Sequence, residues 1–273
     1  KDLTEAFPNM KGFSVRNLKY IRQWYKFWLL SPIGQCPVAQ IKNTLFSIPW
    51  GQNIEIITKV KNHEEAFFYA QGTLEYNWSR PVLVHQIESK LYERKGKAIN
   101  NFQNLLPATH SDLARDITKD PYNFDFLTLT ANYNERELET GLVNHITKFL
   151  LELGQGFAYM GKQVKITVGN RDFYLDLLFY HVRLKSYVVI ELKVTDFEPE
   201  HAGKLNFYIK AVDEQLRKDG DNPTIGLLLC KSKDKMVAEY ALSDINKPIG
   251  ISEYQLANIL PESLKSSLPS IEE

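Results

Sequence analysis

Three charged residues stand inside the most apolar stretch of this chain. Asp176 lies in FYLDLLFYH, and Glu191 and Lys193 lie in VVIELKV, so one carboxylate is followed fifteen residues later by Glu-x-Lys. An ionised group in a hydrophobic strand is costly unless it is paired or coordinates a metal, and three at once call for a common site. Two converging carboxylates suit a hard divalent cation such as Mg²⁺ or Mn²⁺, which prefers oxygen ligands. A lysine beside that cation can orient or deprotonate a water and offset charge on a phosphate. The competing reading puts Glu191 and Lys193 on an exposed edge strand and Asp176 in a structural salt bridge; the joint spacing favours the site.

The elements that must position these residues follow from pattern. Ile166 to Val194 reads as three short strands, joined by a tight turn at Gly169-Asn170 and a polar loop from His181 to Ser186. Alternation puts Phe173, Leu175, Leu177 and Phe179 on one face, and Tyr174, Asp176, Leu178 and Tyr180 on the other. In the next strand Tyr187, Val189, Glu191 and Lys193 share a face. Upstream, Asn134 caps a helix with Glu137 as its capping-box partner, and Leu138, Leu142, Ile146, Phe149 and Leu153 form its buried stripe. Downstream come a helix from Glu200 to about Lys218, a buried strand Thr224 to Cys230, a helix near Lys235 to Leu242 and a strand near Ile249 to Tyr254. Together they predict an α/β/α sandwich around a mixed sheet.

Asp176, Glu191 and Lys193 resemble the motif of the PD-(D/E)xK nuclease superfamily, with Leu175 where the motif name has its proline. FYLDLLFYH, VVIELKV, GKLNFY and DNPTIGLLLCKSK, within Glu135 to Leu256, resemble the C-terminal nuclease domain of YhcG-type bacterial proteins, and SVRNLKYIRQWY resembles their first N-terminal helix. The resemblance implies a restriction-endonuclease-like C-terminal domain and a mainly α, winged-helix-like N-terminal domain. It implies Mg²⁺ or Mn²⁺ held by Asp176, Glu191 and the backbone carbonyl of Leu192, with Lys193 positioning the attacking water. Glu139 is the best match to the acidic residue that the preceding helix supplies in such enzymes; the alternative is that Glu139 or Glu135 complements the helix N-terminus. Lys204 and Tyr208 fall at the spacing of a supporting Gln-x-x-x-Tyr pair. Lys204 departs from that pattern, which leaves open whether it contacts phosphate or is merely exposed. The implied substrate is DNA, cut in defence against foreign DNA or in DNA processing, beside a restriction-system partner and in a homo-oligomer, a dimer where both strands are cut. RNA stays open, because a metal site reads phosphate and not the 2′-hydroxyl. A catalytically silent nucleic-acid-binding or assembly subunit is the other class, and the intact charged triplet counts against it.

The 273 residues, 44% hydrophobic and 24% charged, fit a globular protein. Cys36 and Cys230 suggest neither a disulfide framework nor a zinc site, and the absence of a signal peptide or spanning apolar run predicts a cytoplasmic protein with no membrane partner. Lys1-Asp2-Leu3 is no natural start, so an N-terminal truncation is expected. The expected division is 1–105, helical and DNA- or partner-binding; 106–131, connector; 132–258, nuclease domain; 259–273, polar tail. Residues 1–110 carry 14 Lys and Arg against 8 Asp and Glu, whereas 111–273 carry 19 against 25. A basic grip beside an acidic metal-binding domain suits a nuclease. Ser14 caps a first helix with Leu18, Ile21, Trp24, Tyr25 and Trp28 on one stripe, and a later helix runs from Arg80 to about Arg94. Arg16, Lys19, Arg22, Lys90, Arg94, Lys95 and Lys97 are the candidate nucleic-acid contacts, weighed against a solvated face. Trp24, Trp28, Trp50 and Trp78 are expected in the core rather than stacked on bases. Asp120-Pro121 sits in a turn context and is given no catalytic role.

Overall fold

The computed structural model describes residues 5–9, 11–29, 38–256 and 258–260. The chain divides into two compact units, Lys1–Glu93 and Arg94–Glu273. Among the described residues no helix is long and apolar enough to cross a membrane.

The first unit is built of helices α1 (Val15–Leu29), α2 (Val38–Ser47), α3 (Trp50–Lys59), α4 (His63–Tyr76) and α5 (Arg80–Glu88), with α6 (Leu91–Arg94) at its end. Among its described residues there is no strand, so the wing that a winged helix adds is absent from them. Ser14 Oγ accepts from Asn17 N at 3.2 Å at the start of α1, and Asn62 caps α4 through Glu64 N and Glu65 N. Ile56, Tyr69, Leu83 and Trp78 anchor the core, and Trp24 and Trp28 pack against it. The indole N–H of Trp24 donates to Asn53 and that of Trp50 to Asn17, so these rings are fixed by local bonds. The single helix expected from Arg80 to Arg94 is two. Lys90 takes φ 55°, and this left-handed residue separates α5 from α6.

The second unit carries a seven-stranded mixed sheet in the order β1 (Ile99–Asn100), β8 (Ile249–Gln255), β7 (Ile225–Cys230), β6 (Ser186–Leu192), β5 (Arg171–His181) and β4 (Phe157–Val168), with β2 (Tyr122–Asn123) also on β8. β4, β5 and β6 form the antiparallel meander, and β6, β7 and β8 run parallel. One face packs α11 (Pro199–Gln215) and α12 (Lys235–Ser243) on Leu175, Leu178, Val189 and Leu228; the other packs α9 (Glu135–Asn144) and α10 (Ile146–Leu153) on Leu177, Phe179, Val188 and Ile190. This is the expected α/β/α sandwich. The helix expected from Asn134 to Leu153 is interrupted at His145, while its capping box is present: Glu137 N donates to Asn134 Oδ1 at 2.9 Å, and Asn134 N to Glu137 Oε2 at 3.0 Å.

Residues 94–131 are built into this unit. They supply α7 (Phe102–Leu105), α8 (Ala108–Ile117), β1, β2 and β3 (Thr128–Thr130), the last paired with β9 (Asn258–Leu260). Tyr122, Phe124 and Leu127 are buried in the core beneath the sheet. Asp120 is structural here: its carboxylate accepts from Lys233 Nζ at 2.6 Å and from Glu253 N at 2.9 Å.

The meander differs from the expected pattern at two points. β4 begins at Phe157, nine residues ahead of Ile166, because a half-exposed edge strand rich in Lys and Gln shows little hydrophobic alternation. The alternation expected along β5 also slips. Phe173 and Leu175 pack with Leu178 on the α11 face, whereas Leu177 and Phe179 pack on the opposite face. The phase changes at Asp176, where β5 parts from β6: their pairing runs only from Leu177↔Ile190 to His181↔Ser186.

Candidate active site

Where β5 leaves β6, the Leu192 N–H has no strand partner on the β5 side, and Asp176 takes it. Asp176 Oδ2 accepts from Leu192 N at 2.9 Å, a side chain substituting for a ladder bond. Glu191, one residue earlier on β6, is fully buried. Its Oε1 receives Lys193 Nζ at 3.1 Å and, closer still, Lys204 Nζ from α11, while its Oε2 is buried with no hydrogen-bond partner. Lys193 Nζ also donates to the Leu192 carbonyl at 3.0 Å and to Glu135 Oε1 at 3.0 Å. Lys204 lies 5.2 Å above the ring of buried Tyr208, which supports it from the next turn of α11.

Helix α9 presents two carboxylates one turn apart. Glu135 reaches Lys193, and the buried Glu139 accepts from the side-chain amide of Gln163 on β4. The same Gln163 nitrogen lies 3.4 Å from Asp176 Oδ1, so Glu139 and Asp176 converge on one donor. Asp176, Glu191, Lys193, the Leu192 carbonyl, Lys204, Tyr208 and, through Gln163, Glu139 are thus gathered at one corner of the sheet. Sequence reasoning missed Gln163 and the contact of Glu135 with Lys193. The four-residue spacing of Glu135 and Glu139 was a usable signal; Gln163 carried none.

Electrostatics follow from burial. Burial pushes the Asp176 carboxyl up to about 7, with the neighbouring Glu191 charge adding to it and the Leu192 N–H, Lys193 and Lys204 opposing. Burial works to lower the Lys193 and Lys204 ammonium groups. At Lys193 the combined pull of Glu191 and Glu135 outweighs it, and at Lys204 the hydrogen bond and charge of Glu191 lead the groups that outweigh it, so both stay firmly protonated.

Among the described residues no group of three or more His, Cys, Asp or Glu side chains is spaced to hold a metal. The donor set at this corner is instead two carboxylates and a main-chain carbonyl. It is all oxygen, and its buried Glu191 Oε2 lacks a partner, which fits a hard divalent cation.

The basic candidates are dispersed. Arg16, Lys19 and Arg22 lie on α1 in the first unit, where Lys19 and Arg22 line a groove with Phe27 and His63. Lys90 pairs with Glu93 at 3.6 Å, and Lys95 pairs with Asp116 at 3.4 Å. Lys97 is exposed. Arg94 is a correction. It is buried, bonded to Glu152 at 2.5 Å and to the Pro121 carbonyl at 2.9 Å, and these partners consume the donors a phosphate would need.

Residues 115–269 match the YhcG PDDEXK nuclease domain, and residues 1–94 match the DUF1016 N-terminal domain. YhcG of Escherichia coli (strain K12) is 33% identical over 281 residues, an alignment covering 94% of this chain and 74% of that protein. Two solved structures are more distant. A repair endonuclease from Pyrococcus abyssi is 17% identical with a TM-score of 0.31, over 48% of this chain and 50% of the other. EndoMS in complex with double-stranded DNA is 18% identical with a TM-score of 0.29, over 40% and 39%. This chain therefore spans at most half the length of those two structures. The family matches agree with the mixed sheet and its flanking helices: the chain belongs to the YhcG family, with a DUF1016 N-terminal domain and a PDDEXK nuclease domain.

Proposed function

We propose that this protein is a metal-dependent endonuclease that hydrolyses phosphodiester bonds in DNA, in defence against foreign DNA or in DNA processing. One observation carries the reading: Asp176, held by the Leu192 N–H, stands beside a fully buried Glu191 whose Oε2 has no partner, with the Lys193 ammonium 3.1 Å from the same carboxylate. A buried carboxylate oxygen is ordinarily hydrogen-bonded, and Glu191 Oε2 departs from that rule beside a second carboxylate.

Asp176, Glu191 and the Leu192 carbonyl would hold Mg²⁺ or Mn²⁺, with Glu139 completing the set. A bound ion supplies a Lewis acid for the phosphate and a water of lowered pKa. Lys193 stays protonated beside its carboxylates and offers N–H donors to the charge that develops on the phosphate. Glu135 holds that ammonium from the α9 side, and Lys204 balances the Glu191 charge from α11. The preference for DNA follows the nuclease family. Cutting both strands of a duplex needs two such sites, so a homodimer belongs to the proposal, as does action in the cytoplasm beside a restriction-system partner.

The test is incubation of the purified chain with supercoiled plasmid, linear duplex or structured RNA, in Mg²⁺, Mn²⁺ or EDTA, with Lys193→Ala alongside. Cleavage of DNA that needs metal and disappears in the variant is expected, with metal binding by Lys193→Ala retained. Cleavage in EDTA, or an equally active variant, removes this site from the reaction. Cleavage of RNA alone would change the substrate and leave the site standing.

A further inference from the structure

Glu139 and Asp176 belong to different elements, α9 and β5, yet one side chain from a third element reaches both. Gln163 Nε2 donates to Glu139 Oε2 and lies 3.4 Å from Asp176 Oδ1. A primary amide carries two N–H donors on one nitrogen, which suits a bridge between two acceptor-only carboxylates. The backbone of β4 is irregular here as well. The β4–β5 register shifts between Tyr159 and Gly161, ahead of Gln163, and Gln163 itself, between the pairs Lys162↔Leu177 and Val164↔Leu175, has φ 47°. That left-handed conformation is unfavourable for a residue with a side chain, and it persists only where the surroundings impose it. The register is regular across Gln163, which stands opposite Asp176 in mid-strand, and it is the left-handed backbone there that accompanies the reach of its side chain to Glu139.

We propose that Gln163 is a positioning residue for the cation site: its amide, carried on the left-handed backbone of β4, ties Glu139 to Asp176 so that both carboxylates stand ready for one ion. The inference rests on the reading of Asp176 and Glu139 as part of that site. A group of this kind does not touch the reacting atoms. It sets the orientation of those that do, and such partners typically change metal affinity about 10- to 100-fold when removed.

Gln163→Gly separates the side chain from the backbone, since glycine accepts φ 47° without strain while the amide is lost. Gln163→Asn keeps an amide and a residue type that tolerates the left-handed region, but one methylene too short to bridge. Both variants of the 273-residue chain are titrated with Mn²⁺ by calorimetry beside the unaltered chain, and the metal-free proteins are melted in parallel. Mn²⁺ affinity is expected to fall about tenfold or more in both, while the melting temperature of Gln163→Gly stays level or rises. A purely structural Gln163 would give the reverse, a lower melting temperature with affinity intact, and that result overturns the proposal. So does affinity within about twofold of the unaltered chain in Gln163→Gly, that ratio being well under the range expected for such a partner. If the unaltered chain takes up no Mn²⁺, the cation site itself fails and this inference falls with it. Mn²⁺ binding by the unaltered chain that survives in Gln163→Gly sinks this inference alone.

Discussion

Replacing Asp176 with Asn should make the metal-free protein more stable at pH 8 and leave it nearly unchanged at pH 4. The Asp176 carboxyl is held at about 7 in the fold against an ordinary 3.8, because burial and the adjacent Glu191 disfavour its ionised form. A carboxyl raised in this way contributes stability as the neutral acid at low pH. That contribution is lost as pH climbs from about 4 through about 7, when the fold must carry the buried charge. Every tenfold change in proton affinity corresponds to about 1.4 kcal/mol, so the penalty above pH 7 has an upper bound of about 4 kcal/mol. Residual solvent contact at the half-buried carboxylate reduces it to about 2 kcal/mol. Asn avoids the charge and retains an oxygen for the Leu192 N–H. All four tryptophans lie in the first 93 residues, so tryptophan fluorescence follows the wrong unit. Amide exchange along Leu177–His181, in EDTA at several pH values, reports opening of the unit that holds the site. Added protection near 2 kcal/mol at pH 8 that fades toward pH 4 is expected. A gap of equal size at both pH values, or a variant less protected at pH 8, would refute the ionisation argument.

Two further outcomes follow from packing. Glu152→Ala leaves the buried Arg94 guanidinium without its 2.5 Å partner and also removes the acceptor of Asn123 N, so the second unit should lose about 3–5 kcal/mol in urea unfolding followed by far-ultraviolet circular dichroism; a loss under 1 kcal/mol would mean the pair is effectively solvated. Gly72→Ala inserts a methyl 2.6 Å from the buried Trp78 ring, and the overpacking cost of about 1–3 kcal/mol should exceed the helix-propensity gain of about 1 kcal/mol, lowering the urea midpoint read by tryptophan emission; an unchanged midpoint would show that the ring moves aside freely.

The layers of the second unit were legible because their signals are local. Val188, Ile190 and Leu192 alternate with Val189 and Glu191, the pattern of a strand covered on both faces, and the Asn134–Glu137 box marks a helix start that the structure reproduces. Asp176, Glu191 and Lys193 were legible because charge is rare in such strands. What lay beyond the sequence depends on departures from regularity. The phase slip at Asp176 arises from a missing β5–β6 rung, and no residue type announces it. Gln163 reads as one more polar residue of an edge strand, and only the left-handed backbone marks its reach to Glu139. Arg94 belonged to a basic run in sequence, yet it is buried on Glu152 and the Pro121 carbonyl. A charge run gives composition without direction.

The same departure explains why the site sits at this corner. A continuous β5–β6 ladder would satisfy Leu192 N and its carbonyl with backbone partners and would leave Asp176 pointing along an ordinary strand face. Parting after Leu177↔Ile190 frees both Leu192 groups at once. Asp176 takes the N–H, Lys193 takes the carbonyl, and the buried Glu191 is left between them with one oxygen on two lysines and one on none. Lys193 and Lys204 keep that carboxylate compensated before any divalent ion arrives, which is why a fully buried Glu191 is tolerated at all. The unpaired Oε2 is the point at which compensation by lysine is incomplete, and it faces the requirement that a doubly charged ion with oxygen ligands would meet.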